Sequence, residues 1–186
     1  IGFLISPELC LVIVLYLIIQ IGYCLKLKNE PLLDLLCISS GFLLRAIAGA
    51  VSSELTISPW FLLTVGLLAL FLALEKRKAE LRNGLENKTV TREVLRRYSL
   101  PLMLRLESLV ATSSFVTYSL WAAGPALQGA KTSWMLITVP FVLVGIFRYQ
   151  LISDPEETKR RKLIDNKRNT ENPEEILLRD KGIQAT

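Results

Sequence analysis

A run of closely spaced charges, EKRKAE at 75–80, follows directly on a long apolar stretch. If the run is helical, Lys76 and Arg77 lie four and three residues before Glu80, so the three side chains project from neighbouring positions. Arginine binds phosphate or carboxylate through two parallel N–H bonds, and lysine adds a compact point charge. The pattern therefore indicates a rigid charged rim able to grip an anion. A plain cluster of charges that ends a membrane span would look the same, and the spacing does not separate the two.

Further polar side chains fall among the apolar segments. Tyr23 and Lys28 end the first segment, and Arg45 stands in the middle of the second, in SGFLLRAIAGA. Gly41 and Gly49 lie four residues to either side of Arg45, so small residues share its helical face. An arginine inside a membrane span is costly and usually faces a cavity or a partner. Arg45 is therefore predicted either to bind an anion or to pair with a carboxylate of the bundle.

The chain offers few residues for histidine, disulfide or metal chemistry. It has no His and only three Cys, which all lie in apolar segments. An odd number of Cys in such segments gives no disulfide framework, and no metal ligands are predicted within the chain. The chain has a net charge of +5, and its basic residues lie at the ends of the apolar segments. This placement argues against nucleic-acid binding and favours anionic lipid headgroups or phosphorylated substrates as ligands.

Five long apolar segments position these residues, at 3–25, 32–51, 59–74, 100–123 and 133–152. Each is near the ~20 residues that a helix needs to cross ~30 Å of hydrocarbon. Spanning segments must satisfy their own backbone hydrogen bonds, so helices are predicted. A soluble bundle is the weaker alternative, because these segments have almost no polar face. The predicted fold is an all-α polytopic membrane bundle.

Basic residues alternate between the two ends of these segments. The links after the first, third and fifth segments are rich in Lys and Arg, whereas the second link has none and the fourth has only Lys131. This alternation is typical of the positive-inside rule. It predicts that the first, third and fifth spans end in the cytoplasm.

One link and the start of one span carry further expectations. In TREVLRRYS at 91–99, the apolar residues Val94, Leu95 and Tyr98 lie at helical spacing behind Thr91, which predicts a short interfacial helix. Arg105 and Glu107 lie near the start of the fourth span, where they could reach the interface or pair with other groups.

Several stretches resemble the UbiA superfamily of intramembrane prenyltransferases, and within it the decaprenyl-phosphate phosphoribosyltransferase branch. In family order they are YCLKLKNEPLLD, SGFLLRAIAGAV, PWFLL, LFLALEKRKAEL, YSLWA, PFVLVGIFRY and NPEEILLRDKG. The resemblance implies a fold of about nine helices with a cavity open to the cytoplasm and to lipid. Residues 1–152 would form the fourth to eighth helices, and 153–186 a cytoplasmic polar segment leading to a last helix.

The resemblance also implies that the chain is a fragment. Catalytic carboxylates, in an Asn/Asp-rich motif that binds Mg²⁺-diphosphate, would lie upstream of Ile1, and the fragment alone is expected to be inactive. In the prenyltransferases the segment matching EKRKAE is acidic and holds a second Mg²⁺. Here it is largely basic, which favours the phosphoribosyl branch. The sequence departs from the family at Glu75, where Gly is frequent, and at Cys24, where Ser is usual.

The implied reaction moves 5-phosphoribose from phosphoribosyl diphosphate to a polyprenyl phosphate, for cell-envelope polysaccharide precursors, at the cytoplasmic face of a bacterial plasma membrane. Mg²⁺ is the implied cofactor, and an oligomer is possible. Lys76 and Arg77 would contact phosphate, and Glu80 would orient them or bind the ribose. Tyr23 and Lys28 would hold the donor or acceptor phosphate, and Arg45 would sit deeper in the cavity.

Two other functions remain open. A UbiA-type prenyltransferase acting on a prenyl diphosphate and an aromatic acceptor would need paired carboxylates, but Glu75 and Glu80 are five residues apart and do not share a helical face well. A non-catalytic scaffold or transporter fragment would give no reason for basic residues to gather beside Arg45.

Overall fold

The computed structural model describes residues 6–86 and 93–154. Within these ranges the regular structure is entirely helical, so the all-α prediction is confirmed. The five α-helices are α1 Pro7–Leu25, α2 Leu33–Ser52, α3 Pro59–Glu86, α4 Leu100–Ala122 and α5 Val139–Ser153. Short 3₁₀ turns lie at Leu27–Asn29, Glu93–Arg97, Pro125–Leu127 and Ser133–Thr138.

Serine caps begin two of the helices. Leu9 N donates to Ser6 Oγ at 3.1 Å at the start of α1, and Leu102 N donates to Ser99 Oγ at 3.3 Å at the start of α4. Each cap is followed by a proline within the first two helical positions, where the missing N–H would have no helical partner.

The protein is an integral membrane protein. Four helical stretches are long and apolar enough to cross a bilayer: Pro7–Leu25, Leu33–Ser52, Pro59–Leu85 and Ser133–Ser153. The last of these joins a 3₁₀ turn to α5. Helix α4, with 23 residues, is also long enough, but it carries Arg105 and Glu107 and is not among the four.

The helices pack in chain order around α3. Helix α1 contacts α2, α2 contacts α3, α3 has its most extensive contact with α4, and α4 contacts α5. The core contains Phe71, Leu95, Met103 and Tyr149, and the rings of Phe71 and Tyr149 meet edge to face with centroids 5.4 Å apart. The core therefore lies at the end of the bundle where α3 passes into its charged turns.

A glycine brings α2 close to α3. Ser39 Oγ of α2 donates to the Gly66 carbonyl of α3 at 2.6 Å. A Cβ at Gly66 would lie 3.1 Å from a Leu43 methyl carbon, so any larger residue would require the Leu43 side chain to shift. Small residues and side-chain hydrogen bonds of this kind hold helices together in lipid, where burial of apolar surface offers little.

Helix α3 continues without a break from its apolar part through the charged run, as its spacing predicts. Its 28 residues extend about 42 Å at 1.5 Å per residue, against ~30 Å of hydrocarbon. A helix of this length can carry its last turns beyond the apolar layer, so it needs no turn residue between its two parts.

The link before α4 differs from its prediction. Thr91 lies outside the described residues, and Glu93–Arg97 forms a 3₁₀ turn. Val94, Leu95 and Tyr98 are buried in the core and do not form an exposed interfacial face. Leu32 N donates to the Tyr98 hydroxyl at 2.6 Å, and burial raises the pKa of Tyr98. The apolar side chains of the link therefore hold it to the core, and the Tyr98 hydroxyl fastens it to the connection between α1 and α2.

Candidate functional site

The candidate site lies at the charged end of the bundle, where α1 ends, α2 begins and α3 passes. Asp34 stands in the first turn of α2 and is fully buried. The hydroxyl of Tyr23, near the end of α1, donates to Asp34 Oδ1 at 3.0 Å. The first turn of a helix favours a carboxylate, because the aligned peptide dipoles place partial positive charge at the N-terminus.

Arg77 joins this pair to a second carboxylate. Its Nε and Nη2 donate to the two oxygens of Asp34 at 2.6 and 3.1 Å, which is the bidentate fork that arginine forms with carboxylates. Its Nη1 donates to both oxygens of Glu80 at 2.7 and 2.8 Å. We call Tyr23, Asp34, Arg77 and Glu80 the Asp34 cluster. The arginine side chain is 3% exposed, so its guanidinium is committed to two protein carboxylates.

A second buried network lies on another side of α3. Lys78 Nζ contacts both Glu75 and Glu107, and Gln150 Nε2 of α5 donates to Glu107 Oε1 at 3.0 Å. We call these four residues the Lys78 cluster. Its three charged members are each at most 5% exposed. The Lys78 cluster therefore connects α3 with α4 and α5.

Consecutive positions on a helix differ by ~100°, so Arg77 faces α2 while Lys78 faces α4. The charged run thus divides into two interhelical networks. Lys76 belongs to neither: it is half-buried, and among residues 6–86 and 93–154 it has no recorded hydrogen bond or ion pair. Leu72, Lys76 and Glu80 form one half-exposed stripe along α3.

The structure brings together some of the predicted site residues. Tyr23, Arg77 and Glu80 meet through Asp34, and Lys76 lies one turn before Glu80 on the same helix. Lys28 is exposed in the 3₁₀ turn Leu27–Asn29 that follows α1. Within the described ranges it has no recorded ion-pair partner.

Arg45 lies apart from the Asp34 cluster. Its Nη2 donates to the Tyr16 hydroxyl at 3.0 Å, and its guanidinium lies 5.5 and 5.3 Å from the ring centroids of Tyr16 and Phe42. The alternative that it pairs with a carboxylate finds no support in the part of the chain that the structure describes. A groove of about 210 Å³ between α1 and α2, lined by both Tyr23 and Arg45, leads from Arg45 towards the cluster.

Sequence reasoning missed Asp34 and left the partner of Glu107 open. Asp34 stands in LLDLLC, an acid beside an apolar run, and an ionisable residue at such a position is itself a signal of function. Glu107 was expected either to reach the interface or to pair, and it pairs with Lys78. Neither partner could be read from spacing, because each pair joins two helices.

A resident divalent cation does not fit these residues. Among the described residues there is no group of three or more His, Cys, Asp or Glu side chains that could hold a metal ion. The buried carboxylates that do approach each other are already bound to Arg77 or Lys78. The two clusters are therefore built around protein cations.

Fold and site together define a class: an integral membrane helical bundle whose five helices each contribute a side chain to buried ionic networks at one end. No family model matches the chain. Among the curated proteins similar to this chain, four carry the name decaprenyl-phosphate phosphoribosyltransferase.

The relative from Mycolicibacterium smegmatis is 34% identical over 96% of this chain. Those from Mycobacterium tuberculosis (strain H37Rv) and Corynebacterium glutamicum are 33% and 32% identical over 98% and 95% of it. This chain is homologous to part of the decaprenyl-phosphate phosphoribosyltransferases, so the resemblance predicted from its motifs is confirmed. It spans about half the length of these relatives, between 50% and 56%. The boundary at residue 152 between the transmembrane region and a cytoplasmic polar segment stays a prediction.

Proposed function

We propose that this protein is a pentosyltransferase that moves 5-phosphoribose from phosphoribosyl diphosphate to a polyprenyl phosphate. The observation that carries the proposal is the similarity over 95–98% of the chain to curated proteins named for that activity. The apolar surface of the bundle suits a lipid acceptor, and the charged end offers groups for two anionic substrates.

In the proposed reaction an oxygen of the lipid phosphate attacks the anomeric carbon of the ribose. The bond from that carbon to the diphosphate oxygen breaks, and diphosphate leaves. The protein would contribute mainly position and electrostatic stabilisation. Lys28 and Lys76 are cations without a recorded carboxylate partner in the described ranges, so we propose that they contact phosphate. Tyr23 and Arg45 line the adjoining groove and would serve the acceptor side.

We propose different duties for Arg77 and Glu80. The Arg77 guanidinium already donates to Asp34 and Glu80, so it would orient Glu80, and Glu80 would contact the ribose. Mg²⁺ is proposed to accompany the donor diphosphate. The described residues include no group of three acidic, Cys or His side chains to hold it, so no step here depends on it.

The membrane and orientation are also proposals. The alternation of basic residues between the two ends of the spans supports a bacterial plasma membrane protein whose charged end faces the cytoplasm. Phosphoribosyl diphosphate would then reach the site from the cytoplasm, and the lipid from the bilayer.

The test is a transfer assay with the full-length protein in lipid nanodiscs. Labelled phosphoribosyl diphosphate and decaprenyl phosphate should give a labelled product that extracts with lipid, together with free diphosphate. The same reaction without decaprenyl phosphate is the control. Label that never enters the lipid fraction would contradict the proposal, and transfer from a prenyl diphosphate to an aromatic acceptor would support the alternative function.

A further inference from the structure

The Asp34 cluster has the wrong charge for a phosphate site. With its groups ionised it holds two carboxylates and one guanidinium, a net charge of −1. Like charges at short range repel strongly where water is scarce, so a phosphate would be repelled by the carboxylates that hold Arg77. The cluster suits a ligand that donates hydrogen bonds.

Glu80 is the charged member of the cluster that reaches the surface. Its side chain is 18% exposed, against 3% for Arg77 and 0% for Asp34. Each carboxylate oxygen can accept more than one hydrogen bond, so a carboxylate that accepts from Arg77 can accept from a ligand as well. Neighbouring hydroxyls of a ribose are donors that acidic side chains bind in other proteins.

We propose that Asp34 is a positioning residue for recognition of the donor's ribose. Through its fork to Arg77 it holds Glu80 so that the Glu80 carboxylate accepts hydrogen bonds from the ribose hydroxyls, while Lys76, one turn earlier, takes phosphate. The inference rests on the proposed function, because phosphoribosyl diphosphate is the donor in both.

Three contacts keep Asp34 in place for this task. The Tyr23 hydroxyl donates to Oδ1 at 3.0 Å, both oxygens accept from Arg77, and the helix start favours the negative charge. Asparagine has the same shape, but it carries no charge, and its amide NH₂ would meet the Arg77 donors. Asp34→Asn should therefore release the guanidinium from α2, so that Arg77 no longer holds Glu80 in one orientation.

Two probes separate ribose recognition from phosphate binding. Ribose 5-phosphate carries the ribose on one phosphate, and inorganic phosphate has the same anionic group without the sugar. Calorimetry with the full-length protein should give a preference for the sugar-containing probe. Asp34→Asn should reduce that preference roughly 10- to 100-fold, by analogy with the loss of an outer-shell side chain that orients a metal ligand, while binding of inorganic phosphate changes little. Asp34→Glu should restore part of the preference.

Glu107→Gln is the matched control. It alters another buried carboxylate that pairs with the same helix through Lys78, but Glu107 belongs to the other cluster. It should lower the unfolding temperature without changing the preference between the probes. Lys76→Gln should weaken both probes alike.

Equal weakening of both probes by Asp34→Asn, or no change in either, would overturn the inference. If Asp34→Asn does not fold, Glu80→Gln takes its place: it should lose the ribose preference, and a retained preference would overturn the inference. A wild-type protein that prefers ribose 5-phosphate over inorganic phosphate in binding but transfers nothing to lipid would contradict only the proposed function.

Discussion

Adjacent residues of the charged run meet different surroundings. Lys76 is half-buried on the open stripe of α3, whereas Arg77 and Lys78 are at most 5% exposed and face α2 and α4. Three neighbouring cations thus have three environments. A buried cation between carboxylates is already neutralised, so of these three cations Lys76 is the one that we propose to contact phosphate.

We expect Lys76→Gln to raise the KM for phosphoribosyl diphosphate with little effect on stability. A hydrogen bond to a charged group contributes roughly 1.5–3 kcal/mol, which corresponds to about 10- to 100-fold in affinity. Initial rates at varied donor concentration measure the change. Lys131→Gln is the control, because Lys131 is an exposed lysine in the link between α4 and α5. Equal effects of the two substitutions would remove Lys76 from the site.

At the scale of elements, α3 is the helix that carries the site. Its apolar part packs against α2 through Gly66 and Ser39, and its charged turns hold Asp34 of α2 through Arg77. The register of α2 against α3 therefore sets the distance from Asp34 to Arg77, because the two contacts lie along the same helix pair.

Gly66→Ala should disturb the site from a distance. The added Cβ would lie 3.1–3.3 Å from three carbons of the Leu43 side chain, and overpacking of this kind typically costs about 1–3 kcal/mol. We expect a lower unfolding temperature in detergent and weaker binding of phosphoribosyl diphosphate.

Gly145→Ala is the matched control, because a Cβ there meets nothing within 4 Å. In a helix interior Ala is favoured over Gly by about 1 kcal/mol, so this variant should be as stable as the wild type or more so. A Gly66→Ala protein with the stability and donor binding of the wild type would show that the packing of α2 against α3 accommodates the added methyl group.

At the scale of the whole molecule, the two ionic clusters join all five helices at one end. Tyr23 of α1, Asp34 of α2, Glu107 of α4 and Gln150 of α5 all reach side chains of α3, directly or through one partner. The buried networks stabilise one arrangement of helices, because removing a single partner leaves an uncompensated charge.

Lys78→Met should be strongly destabilising, by about 3–5 kcal/mol, since it leaves buried carboxylates without their cation. Replacing Glu75, Lys78 and Glu107 together by Leu, Met and Leu should recover most of that loss, because an apolar core of similar volume needs no charge partner. Chemical unfolding in mild detergent measures both variants. A triple variant no more stable than the single one would contradict an electrostatic origin.

Local pattern was enough to predict most of the fold. The apolar segments, their helical state and the continuous passage of α3 into its charges all depend on residues near one another in the chain. The Arg77–Glu80 pair is likewise set by spacing within one helix.

Only the tertiary structure decided which helix each charge faces. Asp34 lies 43 residues from Arg77 and Glu107 lies 29 from Lys78, so their pairing depends on how the helices are rotated and aligned. The same reason separates Arg45 from the other cations and gives it Tyr16, 29 residues away, as a partner. Sequence periodicity specifies the face of a helix on which a side chain lies, but the neighbour opposite that face is determined by the packing of the whole bundle.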